Sequence, residues 1–453
     1  MNQQVQRWQR LCIDDHLKVS STGRLFVSRL GQVEMNDLCV LHSGLDTIKQ
    51  LYKGTLKPDL LSDVARLYEE HTGELLELGG VVWLVKSGGK SGYQFMLQNS
   101  DVGLIIFIKS RFADAVSVGS HVKVECSPHW IHPLSIEDIS AALDGFASLI
   151  LDDHSGCGCA VHVCADVQGW DPAHREVGEG TGFLERLRTR ARRLVSHRSN
   201  NVEYLNLGEV GTTYGQNQSY LLGSASSLQL SVYRKDLEAR AKDKIHFWEE
   251  VWCQTAKDDD FTTSAYDPEQ PVWRVELRFH HSVLEQFSRG FEQQQMLEHG
   301  CVYSGLLDDW MHIKGVSERL TGLWCYGLNS FRLEVSSHGY GRYYDPAWQI
   351  LLDDVVLGAP AGDLFFKRVA KKPGEGNTKN LMLAVGNLLS CYARNRFSVD
   401  HALKCLEASG IYDDLYRYMF NKSCARHEPL ADSAIRDFVT KGLQTRVLLG
   451  RAA

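Results

Sequence analysis

Hydrophobic positions along the chain recur at two periods, and the switches between them mark out its elements. From residues 44–54, GLDTIKQLYKG, the pattern reads strand and then helix. In 56–78, LKPDLLSDVARLYEEHTGELLEL, apolar residues fall at helical spacing, and Pro58 suits a helix start. VVWLVKSGGKSGYQFMLQ (81–98) predicts two strands around a Gly-rich hairpin turn, and GLIIFIK and SHVKVECSP continue as strands. SIEDISAALDGFASLILDD (135–153) predicts a helix leading into the strand CAVHVCADVQG. An arginine-rich helix over 185–198 precedes NVEYLNLGEVG, SYLLGSASS, LQLSVYRKDLEA and PVWRVELRFHH. Beyond residue 290 the spacing turns mainly helical in 291–333 and 349–370. KKPGEGN (371–377) predicts a linker, and 378–453 a helical region.

Adjacent strands separated by two or three helices predict an α+β fold, a sheet with helices on one face. The expected organisation is an N-terminal lead-in over 1–40, short and helical or extended, then a candidate catalytic region over 41–290. A mainly helical extension over 291–370 follows, with a linker and helical C-terminal region over 371–453. At 453 residues the chain has length for two to four domains. Its 43% apolar and 23% charged residues exclude disordered, collagen-like and coiled-coil classes. No 20–50-residue repeat is visible, which argues against solenoids and propellers. No apolar run approaches the ~18–20 residues that span a membrane, and the polar opening MNQQVQRWQRLCIDDH carries no signal-peptide pattern. Twelve scattered cysteines fit a reducing cytoplasm with free thiols.

The formal net charge is −7, which by itself argues mildly against a general polyanion binder. The average hides a segment: ERLRTRARRLVSHR (185–198) carries +5, leaving −12 for the rest. Such an element can hold nucleic acid on an otherwise acidic protein, or it can be a solvated helix face.

Strand parity sorts the polar residues. Val122, Val124 and Cys126 oppose Lys123 and Glu125; Val161, Val163 and Ala165 oppose His162, Cys164 and Asp166. Leu228, Leu230 and Val232 oppose Gln229, Ser231, Tyr233 and Lys235. Trp273, Val275, Leu277 and Phe279 oppose Arg274, Glu276 and Arg278. A solvated sheet face gives the same alternation strand by strand. The residue kinds go further: His162, Asp166, Glu125 and Glu276 are hard donors suited to Mg²⁺ or Mn²⁺, and a tyrosine hydroxyl can act as a nucleophile.

At these positions the chain resembles the replication initiation factors of rolling-circle plasmids and filamentous bacteriophages, the Rep-trans group. GLDTIKQLYKG is similar to that family's first strand, and VKVECSP to its strand carrying a glutamate shortly before proline. VHVCADVQGWD stands where the family has a strand with two acids four apart. SYLLGSASSLQLSVYRKDLEAR resembles its Gly-Ser segment leading into the Y-x-K strand. VWRVELRF resembles its W-R-V-E strand, and DPAWQILLDDV a proline–tryptophan element of the phage members. These motifs run in order through residues 42–350.

The resemblance implies an HUH-like, antiparallel-rich catalytic sheet. It implies a nickase that cuts and rejoins one DNA strand at an origin, with Tyr233 as nucleophile and Lys235 beside it. His162, Asp166, Glu125 and Glu276 would hold Mg²⁺ or Mn²⁺. Arg186, Arg188, Arg190, Arg192 and Arg193 of the basic helix, with Arg274 and Arg278, would contact DNA. The implied partners are origin DNA (a single-stranded or cruciform nick site and flanking duplex) and a host helicase and polymerase; a single tyrosine is compatible with a homodimer that uses one from each subunit but does not require it. No membrane is implied, and the setting is a bacterial cytoplasm.

The sequence departs from the pattern at three places. His162 replaces an aspartate, Ala160 replaces the arginine opening that strand, and Ser231 replaces an arginine two residues before the tyrosine. The H-U-H motif of the larger superfamily is echoed only by His162-Val163-Cys164. A non-enzymatic DNA-binding regulator on the same scaffold is the alternative, and the missing arginines favour it.

Three other signals carry less. His154, Cys157, Cys159, His162 and Cys164 invite a zinc reading, but their spacing matches no closed zinc site, and buried thiols explain them better. GYGRYYDPAW (339–348) sets aromatics beside Arg342, as a base-stacking surface or as core packing. SGGKSG (87–92) precedes a strand and is not a Walker A loop.

Overall fold

In a computed structural model the chain divides into two compact units, Met1–Val369 and Ala370–Ala453. The structure describes residues 5–12, 24–35, 37–70, 75–88, 92–172, 183–189, 219–257, 266–300, 308–335, 342–358, 367–369, 378–425 and 430–448.

The first unit opens with β1 (Gln9–Cys12), β2 (Arg24–Ser28) and β3 (Gly31–Glu34), an antiparallel sheet in the order β1-β2-β3. The N-terminal segment is thus extended and seated: Trp8 is buried and its indole donates to the Tyr344 carbonyl. Next come β4 (Cys39–Leu56), α1 (Pro58–Glu70), β5 (Leu76–Leu78), β6 (Val81–Ser87), β7 (Tyr93–Asn99), β8 (Leu104–Ser110) and β9 (Gly119–Cys126). After α2 (Pro128–Ile131) and α3 (Ile136–Ile150) the chain enters the long β10 (Leu151–Gln168). A short α4 (Phe183–Arg186), β11 (Leu187–Thr189), β12 (Ser219–Gly223), β13 (Leu228–Arg234), α5 (Lys235–Ala241), α6 (Ile245–Lys257) and β14 (Trp273–Phe279) follow. The unit closes with α7 (His281–His299), α8 (Ile313–Ser317), α9 (Leu320–Ser330), β15 (Phe331–Leu333) and α10 (Pro346–Asp353).

The fold class is α+β. Ten strands pair antiparallel in the order β12-β13-β14-β10-β4-β9-β8-β7-β6-β5. One face is apolar, as parity requires: Ile48, Val122, Val124, Val161, Val163, Leu230, Val275 and Leu277 share a core with α1, α3 and α7–α9. Residues 291–369 belong to this unit, and Trp310, Trp324 and Trp348 sit in its core. Gly327 of α9 lets that helix close on the sheet, since a Cβ there would lie 2.3 Å from Leu277 Cδ1.

The structure differs from the sequence reading at four points. The helix expected over 56–78 ends at Glu70, because Leu76-Glu77-Leu78 pairs as a strand with β6 across Gly79-Gly80. Both glycines have positive φ (65° and 72°), as a type I′ hairpin turn demands. Lys235 does not continue its strand; it begins α5, and its N–H donates to the Val272 carbonyl. Leu187–Thr189, expected as helix, pairs with β15 instead. Finally, helices cover both faces of the sheet, for α5 and α6 lie over the polar one, where Trp248 and Trp252 form a small second core with Leu41 and Ala239.

The second unit consists, among the described residues, of α11 (Thr378–Arg394), α12 (Val399–Ala408), α13 (Ile411–Ala425) and α14 (Ala434–Leu448) around Val385, Leu389, Leu406, Leu415 and Val439. No helix among the described residues is long and apolar enough to cross a membrane.

Candidate functional site

The strands whose polar faces held the candidate chemistry are neighbours: β13, β14, β10 and β4 run side by side. In register, Tyr233 pairs with Arg274, Ser231 with Glu276, Cys164 with Glu276, and His162 with both Arg278 and Thr47. Tyr233, Glu276 and His162 thereby share one face, each a diagonal step from the next, roughly 7–8 Å between backbones.

A third donor comes from a residue that parity hides. Ile48 pairs with Val161 and Thr47 with His162, but Val163 pairs with Leu45, so Asp46 is an extra residue in a β-bulge. Regular alternation would put Asp46 on the core side with Ile48. The bulge turns it to the polar face, the re-aiming that such irregularities produce beside functional sites. One donor atom each from Asp46, His162 and Glu276 lie within 4.8 Å of one another. His162 Nδ1 is 3.0 Å from Glu276 Oε1. Two carboxylates and one imidazole form a hard donor set that could hold a divalent ion.

These groups line an open cleft of about 560 Å³ with Tyr233, Lys235, Ser231, Glu238 and Arg278. Burial opposes ionisation of Glu276, but Arg278 (2.8 Å) and the His162 ring hold its carboxyl well below the usual range. Burial, reinforced by Glu276 and by Asp46 and Glu238 farther out, pushes the Tyr233 phenol well above its ordinary value. Burial and the Glu276 carboxylate therefore favour the protonated phenol. Burial and Arg274 draw the Lys235 ammonium down. Its Nζ donates to Glu238 (2.6 Å) and lies 4.4 Å from the Trp248 ring and 5.9 Å from the Tyr233 ring.

Two expected ligands are absent from the donor group. Asp166 has no exposure. Its carboxylate receives Arg274 Nε (2.6 Å) and Nη2 (2.7 Å) and the Trp252 indole N–H (2.9 Å), so it is an internal ion-pair partner. Glu125 lines the cleft one strand farther on, with its oxygens facing Lys49 (3.3 Å) and Lys123 (2.7 Å). Burial works against its ionisation, yet these two lysines bring its carboxyl down.

The expected DNA contacts fare differently. Arg274 is fully buried between Asp166 and Asp46, too deep to touch DNA. Arg278, about one-third exposed, stays in the cleft but is bonded to Glu276. Arg186 is buried against Asp345, the N-cap of α10, and Arg188 faces buried Glu334 at 3.8 Å. Arg190, Arg192 and Arg193 lie outside the described residues. The cationic, aromatic rim of the cleft comes instead from residues the sequence did not single out: Lys242, Lys244 and Phe247 beside α6, and His129 on α2. Phe247 and His129 meet edge to face at 5.2 Å. Their only sequence signal was a Lys-x-Lys-x-x-Phe spacing at a helix start, which is too common to pick out.

The weaker signals resolve as packing. Cys159 and Cys164 are fully buried thiols that burial holds protonated, and among the described residues the metal-competent group contains no cysteine. Tyr343 and Tyr344 are buried, Tyr343 against Trp8, and form no stacking surface.

Fold and cleft together define an α+β protein with a hard-donor group beside a sheet-borne tyrosine. The chain belongs to a bacteriophage family: it is 32% identical over 410 residues to the uncharacterized protein ORF430 of Pseudomonas phage Pf1, covering 88% of this chain and 89% of that one. No protein-family model matches the chain, and no solved structure does.

Proposed function

We propose that this protein is a replication initiator that nicks and rejoins one DNA strand at an origin through a covalent phosphotyrosine, assisted by Mg²⁺ or Mn²⁺. The observation that carries the reading is the placement of Tyr233 in one open cleft with the Asp46–His162–Glu276 donors, on four consecutive strands. The ordered motif resemblance and the phage family support it.

In this reading Tyr233 Oη attacks the scissile phosphorus and its proton passes to solvent in the open cleft. The bond to the 3′ oxygen breaks, and that oxygen takes a proton to leave a free 3′-OH. The 5′ phosphate stays on Tyr233, so the phosphodiester energy is conserved and rejoining is the reverse attack. A divalent cation would supply charge stabilisation at the phosphate and would counter the Glu276 carboxylate, which adds to burial in favouring the protonated phenol. Lys235, buried and positive, faces the same space and adds electrostatic stabilisation. Asp46 and Glu276 would hold the ion with His162, and Lys242, Lys244 and Phe247 would guide the strand.

The test incubates the protein with supercoiled DNA carrying the phage replication origin plus Mn²⁺ or Mg²⁺. Nicked circles and a protein–DNA adduct mapping to Tyr233 are expected, with both lost in Asp46→Ala. Full nicking in excess EDTA, or an adduct on another tyrosine such as Tyr220, would overturn the assignment.

A further inference from the structure

Behind the donor group lies a chain of buried charges that the cleft chemistry does not itself use. Arg274 has no exposure, and all three nitrogens of its guanidinium are directed at carboxylates. Nε and Nη2 grip the two oxygens of Asp166 side-on at 2.6 and 2.7 Å, while Nη1 bonds Asp46 Oδ1. Asp166 is fixed in turn by the Trp252 indole at 2.9 Å, and the guanidinium lies 4.1 Å from the Trp248 ring. The planar fork can meet Asp46 from one direction only, because its other edge and one of its faces are occupied. On the cleft side, Thr47 Oγ1 donates to Asp46 Oδ2 at 3.0 Å.

We infer that Asp166 and Arg274 are positioning residues for cation binding: the Trp252–Asp166–Arg274 relay sets the angle at which bulged Asp46 presents its carboxylate beside His162 and Glu276. The inference deepens the proposed function and rests on its cation site. The physical reason is preorganisation. An aspartate on a bulge has rotamer freedom that a ligand would have to freeze, and the relay freezes it beforehand. The relay also sets the charge. With Asp166 in place, Arg274 is shared between two carboxylates. Without it, the whole guanidinium charge falls on Asp46 and competes with a cation for the same oxygens. Asp166 therefore acts on the ion through two intervening side chains and never touches it.

The experiment measures Mn²⁺ affinity of the full chain by calorimetry and by the electron paramagnetic resonance signal of free Mn²⁺, without DNA, so no activity enters the readout. Wild type is expected to bind one ion, and Asp46→Ala to lose it. Asp166→Asn is expected to weaken binding by about 10–100-fold. Arg274→Lys, which keeps the charge but cannot bridge two carboxylates, is expected to weaken it as well. Trp252→Phe deletes one hydrogen bond to Asp166 and keeps the bulk; an affinity about threefold lower or more supports the relay even if Asp166→Asn does not fold. Unchanged Mn²⁺ affinity in Trp252→Phe and in whichever of the other two folds would overturn the relay and leave the cation site standing. Failure of wild type to bind Mn²⁺, or binding that survives Asp46→Ala, would overturn the cation site and the relay with it.

Discussion

Arg274→Met removes a guanidinium that has no access to water, and the cost follows from what is left behind. Asp166, equally buried, would keep only the Trp252 hydrogen bond. Deleting one partner of a buried ion pair costs about 3–5 kcal/mol, chiefly because the remaining charge is stranded. Methionine retains most of the aliphatic stem, so what goes is the guanidinium with its ion pairs and its cation–π contact on Trp248, and the loss is chiefly electrostatic. That makes it pH dependent. Burial works against ionised Asp166, but Arg274 holds its carboxyl below the usual range. Its stabilising contribution is present above the unfolded pKa of about 3.9 and is lost as pH falls through the folded value. In the variant, the Trp252 hydrogen bond still opposes burial, but without Arg274 the folded pKa rises above the unfolded one. The penalty is then full at neutral pH and fades as pH falls through the raised value toward about 4. Both effects narrow the gap between wild type and variant in acid. Urea unfolding followed by tryptophan fluorescence should give a gap of about 3–5 kcal/mol at neutral pH and a smaller one in mild acid. The double variant Asp166→Leu/Arg274→Met should recover most of the loss, because apolar replacement of both partners removes the stranded charge. A gap independent of pH, or a double variant no better than the single one, would refute the argument.

Other consequences can be measured separately. Tyr233→Phe should abolish covalent capture of DNA while leaving affinity in a gel-shift titration nearly unchanged, since only a hydroxyl is removed. Reversing Lys242 and Lys244 to glutamate should weaken binding to single strands and lower the slope of log affinity against log salt by about 0.7 per lost phosphate contact; an unchanged slope in the folded variant would place the DNA track elsewhere. Burial lowers the His42 pKa to about 4, below its unfolded value, so the unfolded chain binds the proton more readily. Stability should therefore be full above about pH 6.5 and decline as pH falls toward 4, and His42→Phe should flatten that decline in urea titrations across the range.

Much of the sheet could be read in advance because alternation reports burial directly. Val161-His162-Val163 and Trp273-Arg274-Val275-Glu276 declare their faces from composition alone, and both strands occur as read. The same logic failed wherever a single residue broke the period. Gly79-Gly80 turned the end of an expected helix into a hairpin, and Asp46 sits on a bulge where alternation assigns the wrong face. Arginines misled for another reason. Charge along a sequence does not say whether a partner waits in the fold, and Asp345, Glu334 and Asp166 claim Arg186, Arg188 and Arg274.

The sequence by itself determined the α+β class, the apolar side of each strand and the stock of hard donors with a tyrosine on the polar side. Those properties are local, set by which residues alternate with which. Tertiary structure alone decided which carboxylates join a donor group that could hold a cation and which are spent. Asp166 and Asp46 are both acids on central strands, yet one is sealed under Trp252 by a side-on arginine and the other is turned into an open cleft. That choice depends on strand order, on a one-residue slip between β4 and β10, and on where α6 comes to rest. Each of these rests on contacts between segments far apart in the chain, 86 residues for Trp252 and Asp166, and short-range periodicity carries no information about such contacts.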